Sequence, residues 1–154
     1  MAYFEWADDI VIDGGPIDQD HRVLVDLVNE LHSATVRGAG REIVGAILNR
    51  CIVTTREHLT REEEYMERMG FPHQVEHKAG HDSFMEKLYD LQRKQEAGSI
   101  TVAAQLSSTL RDWLSLHIRR NDKELRKFER NRQREAQRHG VAARPAAGLL
   151  GKSR

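Results

Sequence analysis

Residues 58–66 read HLTREEEYM and place a histidine and three consecutive glutamates in a stretch with helical spacing. His58 and Glu62 are four positions apart, so they lie about 40° from each other around an α-helix. Glu63 lies about 100° further round and Glu64 about 200°. The stretch therefore predicts one inward-facing His–Glu pair, with Glu63 and Glu64 either in solvent or supporting a neighbouring side chain.

Three other amphipathic segments carry ligand-type side chains in line with their apolar stripes. Residues 77–81, HKAGH, repeat the i, i+4 spacing with two histidines. His21 lies three residues before an apolar position of the first segment. His117 lies seven residues after an apolar position of the fourth, and Asp122 follows five residues later. All four segments thus contribute imidazoles or carboxylates to the side expected to be buried.

The spacing of apolar residues predicts an all-α protein with four long helices. Short connections between long amphipathic helices favour antiparallel neighbours, so we expect an up-down four-helix bundle with an N-terminal arm and a C-terminal extension. Pro72 disfavours helix at the residue before it and ends the second helix. The first predicted helix follows the turn-like DGGPIDQD at 13–20. The second spans about 41–69, the third about 73–96, and the fourth begins near Ser99 or Thr101.

Composition and length are those of a single globular domain. The chain has 154 residues, of which 39% are hydrophobic and 31% charged. The single cysteine excludes an internal disulfide, and Cys51 is expected to be a buried thiol. The start MAYFEWADDIVID has no basic segment followed by an apolar one, and no apolar run approaches the roughly 20 residues of a membrane span. The expected location is cytoplasmic.

The net charge of zero hides an acidic body and a basic tail. Residues 123–154 hold ten Lys/Arg and three Asp/Glu. The whole chain has 24 basic and 24 acidic residues, so residues 1–122 hold 14 basic and 21 acidic ones. We expect residues 1–122 to form the bundle and residues 123–154 to extend it, helical to about residue 139 and then disordered. Because Leu125 and Phe128 are nearly its only large apolar residues, this helix is expected to project from the bundle.

The basic tail leaves three interpretations open. It could be a solvated helix, it could bind an anionic protein or membrane, or it could bind nucleic acid. Nucleic acid is disfavoured, because Phe128 is nearly the only aromatic side chain available for base stacking and binding would depend on phosphates alone. The sequence does not give the oligomeric state, and a monomer is favoured.

The buried imidazoles and carboxylates require an explanation. A lone buried histidine is usually a hydrogen-bonded core residue, and a lone HxxxE is usually a surface pair. Burying this many polar groups without partners would cost several kcal/mol each, a cost that a shared metal offsets. Five imidazoles and two carboxylates exceed the four ligands of one zinc, so two bridged ions fit better. The ligand types alone would admit manganese or zinc. The candidate ligands are His21, His58, Glu62, His77, His81, His117 and Asp122.

Three further histidines are expected to lie outside this cluster. His73 is four residues before His77 but directly follows Pro72, so we expect it on the surface at a helix start. His32 is off the apolar stripe and His139 is in the tail, so both are expected to be solvated.

The sequence resembles the haemerythrin family, in particular the single-domain bacterial haemerythrins (bacteriohemerythrins), over roughly residues 4–125. The similar stretches are FEW, PIDQDHRVLVDLVNEL, HLTREEEYMERMGFP, EHKAGHDSF and DWLSLHIRRND. The family pattern is a histidine on the first helix, HxxxE on the second, HxxxH on the third and HxxxxD on the fourth, and all seven positions are filled here. One departure is Asp20, which stands where the family usually has glutamine and would alter hydrogen bonding around the site.

The resemblance implies a non-haem di-iron centre that binds O2. His77, His81 and His117 would bind one iron, and His21 and His58 the second. Glu62, Asp122 and an oxo or hydroxo group would bridge the two, leaving an open position for O2. The oxygen pocket would be lined by Leu114, Ile118 and Trp113. Trp113 could instead be ordinary bundle core, and Trp6 is expected to pack the N-terminal arm onto the bundle.

Reversible O2 binding, for storage, delivery or scavenging, is the leading functional hypothesis. Ferritin-like di-iron enzymes use four carboxylates, whereas five histidines and two carboxylates give less anionic ligation, which favours binding over turnover. An enzyme is therefore not predicted. Two alternatives stay open: an O2- or redox-sensing regulatory module that signals through the basic tail, and a di-iron oxidoreductase with ferroxidase, peroxidase or nitric oxide chemistry.

Overall fold

The computed structural model describes residues 2–99 and 101–140, which form helices joined by turns. The predicted disorder after about residue 139 falls mainly on residues 141–154, outside the described ranges. A short 3-10 helix, Asp8–Ile10, lies in the N-terminal arm. The helices are α1 Pro16–Val36, α2 Arg41–Met69, α3 Gln74–Glu96, α4 Val102–Leu116 and α5 Lys123–Arg138, with a π-helical segment at His117–Asp122 between the last two.

The first four helices form a four-helix bundle, as the apolar spacing predicts. Helix α1 contacts α2 and α4, and α3 contacts the same two helices, so each helix has two neighbours around a shared core. Thr101 stands at the start of α4 as expected, but its side chain makes no capping hydrogen bond. Within the described ranges, no helix is both long and apolar enough to cross a bilayer.

Two aspartates fix the start of α1. The buried carboxylate of Asp18 accepts hydrogen bonds from the backbone N–H of Ile12 at 2.8 Å and of Gly14 at 2.7 Å. Asp13 accepts from N–H groups in the first turn, which would otherwise lack partners. Pro16, which suits a first helical position, begins the helix. These contacts set the register of α1 and therefore the direction in which Asp20 and His21 point.

The N-terminal arm is tied to α1 by a paired hydrogen bond. The N–H of Phe4 donates to Asn29 Oδ1 at 2.7 Å, and Asn29 Nδ2 donates to the carbonyl of Phe4 at 2.9 Å. Trp6 packs against the main core, and the Arg22 guanidinium lies 4.2 Å from the centre of its ring. The expectation that Trp6 packs the arm onto the bundle is confirmed.

Helix α2 ends at a glycine in the left-handed conformation. Gly70 has φ 64°, which allows its N–H to donate to the carbonyl of Glu67. The N–H of Phe71 then donates to the carbonyl of Met66 at 3.0 Å. This turn buries Phe71 at the end of the bundle, where it joins a second, smaller core with Tyr65, Met66 and Leu125.

Helix α5 packs against that second core, so the expectation of a projecting helix is wrong for its first turns. Leu125 is buried, and the ring of Phe128 lies 5.2 Å from that of Phe71. The buried Glu129 accepts a hydrogen bond from the Tyr65 hydroxyl and pairs with Arg126. The spacing of apolar residues gives no sign of this polar contact, which also contributes to docking the helix.

Candidate metal centre

All seven side chains selected from the sequence are buried in the bundle. They come from α1, α2, α3 and the π-helical segment, so every wall of the bundle contributes. Their exposed fractions do not exceed 7%, for His21, His58, Glu62, His77, His81, His117 and Asp122.

Glu62 divides its two carboxylate oxygens between different histidines. Its Oε1 lies 3.1 Å from His81 Nε2 and 3.3 Å from His117 Nε2. Its Oε2 faces the other way and lies 3.6 Å from His58 Nε2. One carboxylate therefore reaches two separate groups of imidazoles.

Asp122 repeats this division. Its Oδ1 lies 3.1 Å from His117 Nε2, and its Oδ2 lies 2.7 Å from His21 Nε2. The rings of His21 and His58 are 5.0 Å apart, and those of His81 and His117 are 5.1 Å apart. The two carboxylates thus lie between one pair formed by His81 and His117 and another formed by His21 and His58.

The π-helical segment explains the spacing of His117 and Asp122. In an α-helix, residues five apart point about 140° away from each other. In a π-helix, hydrogen bonds join residues five apart, which brings such residues onto the same side. The segment spans His117–Asp122, so the helix widens for the one turn in which both side chains must face the interior. The sequence predicts both residues in the site but does not predict a π-helical turn between them.

The cluster holds most of the buried polar atoms that lack a hydrogen-bond partner. Among the described residues, nine of the ten such side-chain atoms belong to the five histidines and the two carboxylates of the cluster. Nitrogen and oxygen atoms here are close but are not aligned as donors and acceptors. Atoms offered by His58, Glu62, His117 and Asp122 all lie within 4.8 Å of one another, close enough to hold a metal ion. A bound cation would account for the proximity and for most of the missing hydrogen bonds.

The electrostatics of the cluster also favour a cation. Burial raises the pKa of Glu62 and of Asp122, but nearby His117 outweighs this, and the pKa of each carboxyl is lowered. Burial lowers the pKa of His117, but Asp122 and Glu62 raise it to about 10. Two ionised carboxylates therefore lie inside the bundle and attract positive charge, which protons or metal ions can supply.

His77 lies at the edge of the cluster. Its Nε2 is 3.7 Å from Glu124 Oε1, and its Nδ1 is buried without a hydrogen-bond partner. Burial lowers the pKa of His77, so the imidazole stays neutral and keeps a lone pair that can bind a metal ion. The ring meets that of Phe71 edge-on at 5.1 Å, which places it where the two cores join.

Two carboxylates at the margin of the cluster orient histidines that face Glu62. The Nδ1 of His58 lies 3.1 Å from Asp20 Oδ2, which also accepts from Arg61 at 2.8 Å. The Nδ1 of His81 lies 2.8 Å from Glu63 Oε2. Burial raises the pKa of Asp20, but His58 and Arg61 outweigh it and leave the pKa lowered. Asp20, the departure from the family pattern, thus acts on His58 across the helix interface rather than on the adjacent His21.

The three residues predicted to line an oxygen pocket are at or near the cluster. Leu114 and Ile118 are buried, and Trp113 stacks on His117 at 4.5 Å and on Phe84 at 3.8 Å. Trp113 and Leu114 line an apolar cavity of about 10 Å³. That volume is near the lower limit for a single water-sized molecule. Trp113 packs in the core and also borders this cavity, which none of the seven cluster residues lines. Its place in an oxygen pocket stays a prediction.

Two of the remaining histidines contact other groups. The side chain of His73 is 58% exposed and lies 3.3 Å from Glu76, as expected for a surface residue. His32 is half-buried rather than solvated, because its ring stacks on Tyr3 at 3.7 Å.

Comparison with known proteins agrees with this geometry. Residues 16–128 match the family described as "Hemerythrin HHE cation binding domain". The chain is 34% identical to a bacteriohemerythrin of Stenotrophomonas maltophilia (strain R551-3), over 79% of this chain and 78% of that protein. It is also 34% identical to a bacteriohemerythrin of Methylococcus capsulatus, over 80% and 94%, and 30% identical to one of Pseudomonas aeruginosa (strain LESB58), over 79% and 78%. The chain, with its buried cluster of histidines and carboxylates, belongs to the hemerythrin HHE cation-binding family.

Proposed function

We propose that the protein reversibly binds O2 at a non-haem di-iron centre in the middle of the bundle. The observation that carries the proposal is the division of Glu62 and Asp122, each of which turns one oxygen to each of two histidine pairs. Carboxylates placed in this way suit a bridge between two ions. Such a centre, when bound, would lend O2 one electron from each iron and recover both when O2 is released.

The proposed ligand assignment follows the two groups of histidines. His81 and His117 would hold one ion, with His77 completing that group, and His21 and His58 would hold the other. Eight of the nine partnerless atoms in the cluster support this set, because the metals would satisfy them. The ninth is the second ring nitrogen of His21, since an imidazole gives a metal one nitrogen. His77 is the least integrated member, since its Nε2 is nearest to Glu124.

The protein itself contributes orientation and exclusion of water. Asp20 and Glu63 fix His58 and His81 by their Nδ1 atoms, so that the Nε2 atoms face Glu62. Trp113 contacts the rings of His81 and His117, and Leu114 and Ile118 are buried in the same apolar core. The small apolar cavity that Trp113 borders would admit a neutral diatomic molecule more readily than a charged reductant, and Trp113 separates it from His117.

Reconstitution tests this function directly. The full chain is loaded with Fe(II) without oxygen, its metal content is measured, and absorption spectra are recorded in air and again under argon. We expect two irons per chain and a charge-transfer band that appears in air and disappears under argon. One iron per chain, or an irreversible change with no oxygenated band, would contradict the proposal. Steady-state turnover of peroxide or nitric oxide that His58→Ala abolishes would instead support an oxidoreductase.

A regulatory role is a second candidate, and one observation favours it. Asp122 is followed directly by α5, and α5 packs against Tyr65 and Met66 on the helix that carries Glu62. A change at Glu62 would act through α2 and a change at Asp122 through α5, so the two carboxylates together reach both sides of the contact that docks α5. Hydrogen exchange along residues 123–138, compared between oxygenated and deoxygenated protein, tests this role, and unchanged exchange would count against it.

A further inference from the structure

The basic residues of α5 form a stripe that the metal centre does not use. Five of them lie within a band about 100° wide around the helix. The packing face, with Leu125, Phe128 and Glu129, lies on the opposite side. Over 11 residues the stripe extends about 16 Å along the helix axis. Its members are Lys123, Arg126, Lys127, Arg130 and Arg134.

This stripe lines one wall of a groove of about 280 Å³. The other wall is formed by Val11 and Ile12 of the N-terminal arm. Val11 is 39% exposed, which makes it one of the few large apolar side chains on the surface of the described residues. The groove thus combines five cations with a short apolar edge, and no carboxylate lines it.

Most of these cations lack a partner within the protein. Arg126 pairs with Glu129, but its Nε is buried without a hydrogen bond. The side chains of the other four form no ion pair in the part of the chain that the structure describes. Five like charges along one helix face repel one another, so an anionic partner would relieve that repulsion.

We propose that this groove binds an acidic, amphipathic peptide segment of a partner protein. Carboxylates at helical or extended spacing would pair with the arginines, whose planar guanidinium groups match carboxylates with two hydrogen bonds. An apolar side chain of the same segment would contact Val11. The proposal goes beyond O2 binding and does not depend on it.

The chemistry of the groove disfavours other polyanions. Nucleic acid normally adds base stacking to its phosphate contacts, but the groove has no aromatic lining and Phe128 faces Phe71 on the opposite side. A membrane-binding helix inserts an apolar face beside its basic one, but the apolar face of α5 is already buried against the bundle.

Fluorescence anisotropy on the full, metal-loaded chain tests the proposal. The probe is a fluorescein-labelled helical peptide with glutamates at i, i+4 and i+7 beside a leucine stripe. We expect saturable binding that weakens with added salt and is lost when glutamine replaces the glutamates. Lys127→Glu with Arg130→Glu should weaken binding by roughly tenfold or more. The matched control, Arg37→Glu with Lys87→Glu, carries the same charge change on exposed sites and should stay within about twofold.

Several outcomes would overturn the assignment. Equal losses in the groove and control variants would show that net charge, not the groove, attracts the peptide. Tighter binding of oligothymidylate or of phosphatidylserine vesicles at the same salt would assign the groove to nucleic acid or membrane. A dimer in sedimentation that the groove variant disrupts would assign it to a second copy of this chain.

A measurement on the unmodified chain guards against a variant that does not fold. Thermal unfolding and metal content first establish that each variant keeps its structure. In the unmodified protein, the peptide should slow hydrogen exchange in the arm around residues 9–13 and along residues 123–135. Protection elsewhere, with none in these two segments, would contradict the proposal.

Discussion

The two buried carboxylates, Glu62 and Asp122, share one histidine neighbour, His117, but are supported in different ways. Glu62 faces His58 and His81, whose Nδ1 atoms lie 3.1 Å and 2.8 Å from carboxylate oxygens of other residues. Asp122 faces His21 and His117. The Nδ1 of His21 has no hydrogen-bond partner, and that of His117 lies 3.4 Å from the amide of Asn121.

The difference separates electrostatic support from support by packing. Asp20 and Glu63 are 24% and 23% exposed, so the charges behind His58 and His81 lie at the border with solvent. On the Asp122 side, the π-helical segment sets the backbone and Trp113 stacks on His117 at 4.5 Å. Substitutions near Glu62 should therefore adjust the affinity of the site, whereas the Asp122 side should respond mainly to changes in shape.

Removal of either carboxylate should have the largest effect. Glu62→Ala or Asp122→Ala takes away an oxygen from both histidine pairs, so both proposed ions lose a ligand. We expect a loss of metal affinity greater than the roughly 10- to 100-fold typical of outer residues. Metal content after dialysis against a weak chelator measures it. The control is Glu64→Ala on the exposed side of the same helix, and retention of two ions by Glu62→Ala would contradict the bridging role.

The cluster could be found from the sequence because its members follow simple helical spacing. His58 with Glu62 and His77 with His81 are four residues apart, and each histidine continues an apolar stripe that a soluble protein must bury. The same stripes predict the bundle. Glu62 could be separated from Glu63 and Glu64 by angle alone, and the structure buries Glu62 while leaving Glu64 exposed.

The contacts between helices could not be derived from spacing. Asp20 precedes His21 in the chain but contacts His58 and Arg61, because helix packing and not sequence distance decides that contact. Tyr65 and Glu129 are 64 positions apart, and neither looks like a core residue alone. One feature of the sequence does indicate the π-helical segment, namely the five-residue spacing of HxxxxD. In an α-helix, this histidine and aspartate would point to different faces.

Neutralising the supporting carboxylates should have an intermediate effect. Asp20→Asn and Glu63→Gln keep an oxygen that can accept from the histidine but remove the charge, so each should lower metal affinity by about 10-fold. Asn121→Ala is the matched change on the other side. Because its contact with His117 is long and uncharged, we expect a change within about twofold. Competition titration with a chelator gives all three values, and equal losses in all three would erase the contrast between the two sides.

The smallest effect is expected from the cations that hold these carboxylates. Arg61 lies 2.8 Å from Asp20 and is 37% exposed, whereas Lys78 lies 3.4 Å from Glu63 and is 59% exposed. Exposed ion pairs contribute about 0–1 kcal/mol, so Arg61→Met should lower metal affinity by no more than about fivefold and Lys78→Met by less. If Arg61 acts through Asp20, its removal in the Asp20→Asn background should cause little further loss. Full additivity of the two changes, measured by the same chelator competition, would mean that Arg61 influences the cluster independently of Asp20.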